Sequence, residues 1–315
     1  MRLSLLVVSR TPLLLSRMLA SVATATDLPY EEVEILCSWN GNSEEEDLIE
    51  NGSGYEFLIA QRDPYHFASN MNGLADKARG NELLFINDDL VLDRSSIDAA
   101  LACLNSSNDI GIVGSRLRDE DGVLTHAGIV FDSRHSPYHQ LDRIIASDHP
   151  AINRREVAMP AVTGALFLIR NEQFQALRFR VEYLVCGEDV ELCLDVRERL
   201  GLKIVYCPRF SGIHASEATR SNIDGQDGNS EDMSRMRIRR KQFLDKANRK
   251  QLSDEVLVKA FENDVLRSLD TSTELKDHQK ELKEWQQKCH SLQLTRLRLE
   301  QALKQVRQTK SPTHN

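Results

Sequence analysis

Leu83-Leu84-Phe85-Ile86-Asn87-Asp88-Asp89-Leu90 decides how this chain is read. Four apolar residues in succession, without polar alternation, predict a strand buried on both faces of a parallel sheet. The strand runs directly into Asn87 and two acids, Asp88 and Asp89. Carboxylates at the carboxyl end of such a strand face the crevice where open α/β sheets bind ligands. Adjacent like charges repel, so a cation or a hydrogen-bond network has to balance them. Oxygen-only ligands suit a hard ion such as Mg²⁺ or Mn²⁺, shared with the phosphates of a substrate. An aspartate pair also serves as an ordinary N-cap for the next helix. These residues alone leave both readings open.

Upstream, Leu3 to Val8 is a first strand that leaves through Ser9-Arg10-Thr11-Pro12. Pro12 suits the first turn of a helix carrying Leu13, Leu14, Met18 and Leu19. Glu34 to Cys37 is a second strand, ending in the turn Ser38 to Ser43, and Glu44 to Asp47 suit the first turn of a helix. Tyr55 to Ala60 reads as a third strand. Phe67, Ala68, Met71, Leu74, Ala75 and Ala78 recur at helical spacing, and Gly80 is expected to stop that helix. Alternating strands and helices predict a parallel, doubly wound sheet. The chain has neither G-x-G-x-x-G after the first strand nor G-x-x-x-x-G-K-[ST], which disfavours a dinucleotide site and a P-loop.

Downstream, Ile110 to Gly114 is a buried strand, and Leu124 to Phe131 continues extended through His126 and Gly128. Residues 132–156 lack periodicity and read as an irregular surface excursion. Ala161 to Ile169 is expected to form a long apolar strand. Cys186 to Leu194 predicts a helix opening on Glu188 and Asp189. A strand at Lys203 to Tyr206 is followed by Pro208 and Gly212-Ile213-His214. An acid pair at a helix start also complements the macrodipole, and a lone histidine is commonly structural.

Composition limits the alternatives. The 315 residues are 41% hydrophobic and 28% charged, enough for a well-filled core. A net charge of −8 argues against a nucleic-acid binder. Six cysteines show neither metal spacing nor a paired framework and fit a reducing cytoplasm. The apolar run at Leu3 to Val8 is too short for a signal peptide, and no stretch approaches a bilayer span. The expectation is a soluble cytoplasmic protein, at most peripheral to the inner face of a membrane.

The order of motifs resembles the inverting family 2 glycosyltransferases of the GT-A fold. It runs through Val8-Ser9-Arg10-Thr11, Trp39-Asn40-Gly41-Asn42-Ser43, Asn72-Gly73 to Ala78-Arg79-Gly80, and Asn87-Asp88-Asp89. It continues through Gly111 to Gly114, Asp121-Gly122-Val123, His126-Ala127-Gly128, Thr163-Gly164-Ala165, Glu188 to Leu194, Pro208 and His214. The match covers about residues 3–220.

The resemblance implies an α/β, GT-A nucleotide-diphospho-sugar transferase-like sheet with flanking helices. It implies that Asp89 holds a divalent metal (Mn²⁺ or Mg²⁺), with His214 as an additional ligand. Asp189 would be the general base toward the acceptor hydroxyl, with Glu188 orienting the acceptor or supporting the base. Ser9, Arg10 and Asn72 would lie on the donor side, Asp88 at the ribose or sugar, and Asn40 where an aspartate usually meets the base. The partners implied are a nucleotide-sugar donor and a glycan, lipid-linked or protein acceptor. Two departures bear on specificity. Ser9-Arg10-Thr11 and Trp39-Asn40 alter the nucleotide-base pocket, and Leu177 to Tyr183 lacks the family's glycines in the acceptor segment.

Domain boundaries are expected at 1–215 for the catalytic domain, 216–232 for a flexible loop, 233–270 for a basic helical segment and 271–315 for a coiled-coil tail. The basic segment reads first as a solvated helix packed on the catalytic domain, with an anionic surface as the alternative. In the tail, Leu275, Leu282, Cys289, Arg296 and Leu303 share one heptad position, and His278, Trp285, Leu292, Leu299 and Val306 the other. That pattern predicts assembly through residues 274–308, as a homodimer or with a protein partner. A nucleotidyltransferase is disfavoured because Ser9 to Leu15 contains no glycine. A non-catalytic scaffold assembling through its coiled coil remains the alternative to the enzyme.

Overall fold

The computed structural model describes residues 1–152, 155–215 and 229–309. In chain order, β1 (Leu3–Ser9), α1 (Pro12–Ala25), β2 (Val33–Trp39), β3 (Glu56–Gln61), α2 (Phe67–Lys77), β4 (Glu82–Asn87) and β5 (Leu90–Leu92) form the first part. They are followed by α3 (Ser96–Asn105), β6 (Ile110–Arg118), β7 (Leu124–His126), β8 (Ile129–Phe131), β9 (Pro137–His139), β10 (Val157–Met159) and β11 (Leu166–Arg170). Then come α4 (Asn171–Leu177), α5 (Glu188–Asp195), β12 (Lys203–His214), α6 (Asn229–Lys246) and α7 (Arg249–Thr309).

The main sheet has the order β10-β12-β6-β11-β4-β1-β2-β3, with β5 on β12 and β7 on β6. β4 is buried on both faces, as its unbroken apolar run predicts. Leu84 and Ile86 join the core under α1 and α3, while Leu83 and Phe85 join the core under α2, α4 and α5. Phe85 stacks on Phe167 with centroids 4.6 Å apart and meets Phe174 and Phe179 at tilted or edge-on angles.

The sheet is mixed rather than wholly parallel. β1 pairs in parallel with β2 and β4, and β2 with β3, but β11 enters antiparallel between β4 and β6. Parallel neighbours need a crossover element. The stretch between β6 and β11 contains no helix among its described residues, so the chain returns in the opposite direction.

Several local expectations are corrected. α2 ends at Lys77, with Ala78 already extended. Gly80 is required for a different reason: a Cβ there would lie 2.5 Å from the Ser4 backbone nitrogen. Ser43–Leu48 is a 3₁₀ helix, because Ile49 turns extended before a longer helix can form. Of the expected strand Ala161 to Ile169, only the part from Leu166 onward joins the ladder, as Leu166–Arg170. β12 instead runs past Pro208 to His214, with the proline inside a register break between Tyr206 and Ser211. There its missing N–H leaves no ladder bond unmade. The excursion at 132–156 is not purely superficial, since Gln140, Leu141, Ile145 and Ile152 are buried.

One compact unit spans Met1–Ala260 and a second spans Phe261–Asn315. The first therefore extends well beyond the expected boundary at 215. Of the expected loop 216–232, residues 216–228 lie outside the described residues, and the remainder already belongs to α6. Met236 and Phe243 of α6 sit in the core of the first unit, so the basic segment packs through an apolar stripe. In the second unit, Leu282, Trp285 and Leu292 are each about 60% exposed, at 59%, 65% and 62%. Among the described residues no helix is long and apolar enough to cross a membrane.

Candidate functional site

The site lies where β1, β2 and β4 end together. Parallel register sets Val8 beside Asn87 and Ser9 beside Trp39. Ser9 Oγ donates to Asp88 Oδ2 at 2.7 Å. Burial pushes the Asp88 carboxyl up to about 6, the Ser9 hydroxyl opposing this and the Asp89 charge adding to it. Arg10 is exposed, and its charge favours the ionised form of Asp88.

Asp89 occupies the turn between β4 and β5. β5 pairs with the end of β12, setting His214 opposite Leu90, and Ala215 N donates to the Asp89 carbonyl at 3.2 Å. His214 Nε2 thereby comes within 3.1 Å of Asp89 Oδ1. Asp89 is 7% exposed, yet this oxygen is buried without a well-aligned hydrogen-bond donor. A buried carboxylate oxygen in that condition is costly. An imidazole nitrogen and an unsatisfied carboxylate oxygen converging on one point form a donor set suited to a divalent cation.

At the end of β2, Trp39 is 1% exposed and belongs to the core, its Nε1 donating to the Asn42 carbonyl at 3.1 Å. Gly41 lies against that indole, where a Cβ would come within 2.4 Å of the ring. Asn40 is left as the polar residue of the turn. Its Nδ2 donates to the Asp63 carbonyl, and its Oδ1 is buried without a hydrogen-bond partner.

The second carboxylate group reaches the same end of the sheet from α5. Gly164 N donates to Asp189 Oδ2 and Val190 N to Asp189 Oδ1, both at 2.7 Å. The next residue, Ala165, accepts from Asn87 N at 2.9 Å. One backbone turn therefore connects Asp189 to the residue that precedes Asp88. Glu188 is the first residue of α5 and half-buried. Gly187 has φ +114°, and a Cβ there would strike Met236 of α6 and Tyr183.

Asn72 is not brought to this group. Its Nδ2 donates to the Phe179 carbonyl at 2.9 Å and its Oδ1 accepts from Phe179 N at 3.0 Å. Both amide functions hold the segment before α5, so the structure places Asn72 as a brace rather than a donor contact.

Two supporting residues escaped the sequence reading. Asp232 of α6, 1% exposed, accepts from the backbone nitrogens of Leu184, Val185 and Cys186 at 3.0, 2.7 and 3.2 Å. It fixes the three residues that lead into Gly187. His126 is also buried, and its Nε2 accepts from Gly128 N and Thr163 N, both at 3.3 Å. Burial above all, then His139 and His214, holds its imidazole well below the ordinary value of 6.5, so it stays neutral. His126 thus braces the Thr163-Gly164 turn that holds Asp189. Its place in His126-Ala127-Gly128 was the available signal.

A cavity of about 250 Å³ is walled by Arg180, Tyr183, Glu191, Arg235 and Arg239 among others. Its arginines are largely engaged: Arg239 pairs with Asp195 at 2.7 Å and Glu198 at 2.9 Å. Asp88, Asp89 and Asp189 are not part of its lining.

Comparison with known proteins places the family and the fold. Residues 2–227 match the family described as glycosyltransferase like family 2. The O-antigen biosynthesis protein RfbC of Myxococcus xanthus is 29% identical over 218 residues, covering 66% of this chain and 17% of that protein. The uncharacterized protein y4gI of Sinorhizobium fredii is 25% identical over 205 residues, covering 62% and 22%. The chain thus spans less than a quarter of either relative. Among solved structures, S. aureus TarS in complex with UDP-GlcNAc aligns with TM-score 0.54 at 12% identity, covering 76% of this chain and 66% of that one. The mannosyltransferase PcManGT from Pyrobaculum calidifontis, with GDP-Man and Mn²⁺, gives 0.52 at 15%, covering 78% and 62%. GalNAc-T7 with UDP, GalNAc and Mn²⁺ gives 0.52 at 17%, covering 68% and 43%. At these identities the likeness is one of fold.

Proposed function

The chain belongs to glycosyltransferase-like family 2, and we propose that it moves a sugar, with inversion, from a nucleotide-sugar donor to a glycan, lipid-linked or protein acceptor. The observation that carries this reading is the Asp89 oxygen left without a donor, 3.1 Å from His214 Nε2. Those two residues would hold a divalent cation, Mn²⁺ or Mg²⁺, alongside the donor diphosphate. When bound, the cation supplies charge neutralisation on the departing nucleoside diphosphate.

The protein's own residues do the rest. Asn40 Oδ1 accepts an N–H from the nucleotide base, which explains why this buried atom has no internal partner. Asp88, held by Ser9, faces the hydroxyls of the ribose or the sugar, and Arg10 adds positive charge at the donor side. Asp189 takes the proton of the acceptor hydroxyl as that oxygen attacks the anomeric carbon. The bond from that carbon to the diphosphate oxygen breaks in the same step, so the configuration inverts without a covalent intermediate. Glu188, one residue before the base, orients the acceptor. The backbone N–H groups of Gly164 and Val190 keep Asp189 in place for this role.

The exposed Leu282, Trp285 and Leu292 support assembly through residues 274–308, with a second copy of the chain as the preferred partner. The test of the main proposal is release of nucleoside diphosphate from a panel of nucleotide sugars, with and without Mn²⁺. Metal-dependent release from one donor class is expected, and it should be absent in Asp89→Ala. Release that ignores both metal and Asp89 would overturn the assignment.

A further inference from the structure

The fold brings together two cysteines that are far apart in sequence. Cys103 lies in α3 and Cys207 in β12, 2% and 0% exposed. The two Sγ atoms and a carboxylate oxygen of Glu156 all lie within 4.8 Å of one another. Glu156 is exposed and immediately precedes β10, so it reaches the buried sulfurs from the surface.

The strand is irregular just after Cys207. The register break between Tyr206 and Ser211, with Pro208 inside it, curls the strand after the cysteine. It leaves Cys207 Sγ beside Cys103 Sγ in the core, facing the carboxylate of Glu156. As a thiol itself, Cys207 reaches only the Ala99 carbonyl, at 3.9 Å. The Glu156 carboxylate stands beside both sulfurs. Two sulfurs and a carboxylate in one cluster are mutually repulsive once ionised, unless a cation sits among them.

We propose that Cys103, Cys207 and Glu156 form a binding site for a borderline-soft divalent cation of the zinc class, tying α3 and β12 to the segment ahead of β10. Thiolate ligands select such an ion over the hard Mg²⁺ or Mn²⁺ that suits Asp89, so the two sites are chemically distinct. Tetrahedral ligation with metal–sulfur distances of about 2.3 Å puts ligand atoms roughly 3.8 Å apart. The cluster needs to close by at most about 1 Å from separations that are all within 4.8 Å, and Glu156 lies at the surface. The fourth position is left to water. Binding releases the thiol protons of both Cys103 and Cys207 to solvent, so affinity rises with pH.

The test is titration of the full chain, reduced and stripped with a chelator, with Co²⁺ followed by Zn²⁺. Cobalt should produce a thiolate-to-metal charge-transfer band at one equivalent, and zinc should abolish it by displacement. The band should persist in Asp89→Ala, which removes the hard-ion site, and disappear in Cys103→Ser and Cys207→Ser. Because those cysteines are in the core, Glu156→Ala is the companion variant. Its residue is exposed, so the chain should fold normally and bind cobalt more weakly in competition with a chelator. Absence of the band in the folded, reduced wild-type chain would overturn the site. So would its survival in Cys207→Ser, or an unchanged affinity in Glu156→Ala.

Discussion

Two buried acids stand at opposite ends of the same sheet, and the protein treats them differently. At the amino ends of β1 and β2, Glu34 is 1% exposed and its carboxylate is surrounded by donors. Ser4 Oγ and Arg79 N each reach it at 2.6 Å and Arg79 Nε at 2.7 Å, while Gly80 N closes onto Ser4 Oγ at 2.8 Å. At the carboxyl ends, Asp89 is nearly as buried, but one of its oxygens meets only an imidazole nitrogen without hydrogen-bond alignment. Ser38 Oγ and Asn40 Oδ1 are likewise buried without partners near that end of β2. A buried carboxylate that the fold completes is structural. The open oxygen of Asp89, with His214 beside it, fits the cation proposed above.

The largest test of this contrast concerns Asp189. Asp189→Asn keeps a side chain of the same shape but removes the base, and turnover should fall by roughly a thousandfold. Donor binding, measured by calorimetry, should be unchanged, since the donor-side residues are untouched.

Next in size is the paired comparison of Glu34 with Asp89. Glu34→Ala leaves the Ser4 hydroxyl and the Arg79 backbone nitrogen without their acceptor and should cost about 2 kcal/mol in urea unfolding. Asp89→Asn removes an uncompensated charge, so the metal-free chain should unfold at the same urea concentration or a slightly higher one. Equal destabilisation by both would erase the distinction between the two ends.

Asp232→Ala removes one acceptor shared by three backbone N–H groups and should cost about 1–2 kcal/mol. Turnover should fall further than donor affinity, because the residues released lead into α5.

The smallest effect is one of pH. His126 is neutral in the folded protein and held well below 6.5, whereas the unfolded chain takes up a proton there. Its contribution is therefore fully present above about pH 6.5 and is lost as pH falls. Relative to His126→Gln, the wild-type chain should lose about 1 kcal/mol more between about pH 6.5 and 5.5.

How far the sequence carried depends on how local each feature is. β4 and its terminal acids were legible because an unbroken apolar run ending in Asp88 and Asp89 is a contiguous signal. α5 was legible for the same reason, with Glu188 and Asp189 on its first turn. The antiparallel entry of β11 was not, since pairing direction depends on the absence of a crossover helix over a long excursion. Asp232 looked like part of a polar loop, because the backbone nitrogens it serves lie in the segment before α5. Asn72 carried a motif position yet uses its amide on Phe179, a contact between segments that no spacing reveals. Pro208 suggested a strand end, but within a register break it costs no ladder bond. Long-range hydrogen bonds, rather than composition or periodicity, separate the braces from the site.

The most direct measurement is calorimetric binding of nucleoside diphosphates to the wild-type chain, Asp89→Ala and Glu34→Ala, each with and without Mn²⁺. Open and closed carboxylates predict opposite outcomes. Asp89→Ala should lose the metal-dependent part of the affinity with its fold intact, and Glu34→Ala should keep that affinity despite its lower stability. Metal-dependent binding that survives Asp89→Ala would contradict the account.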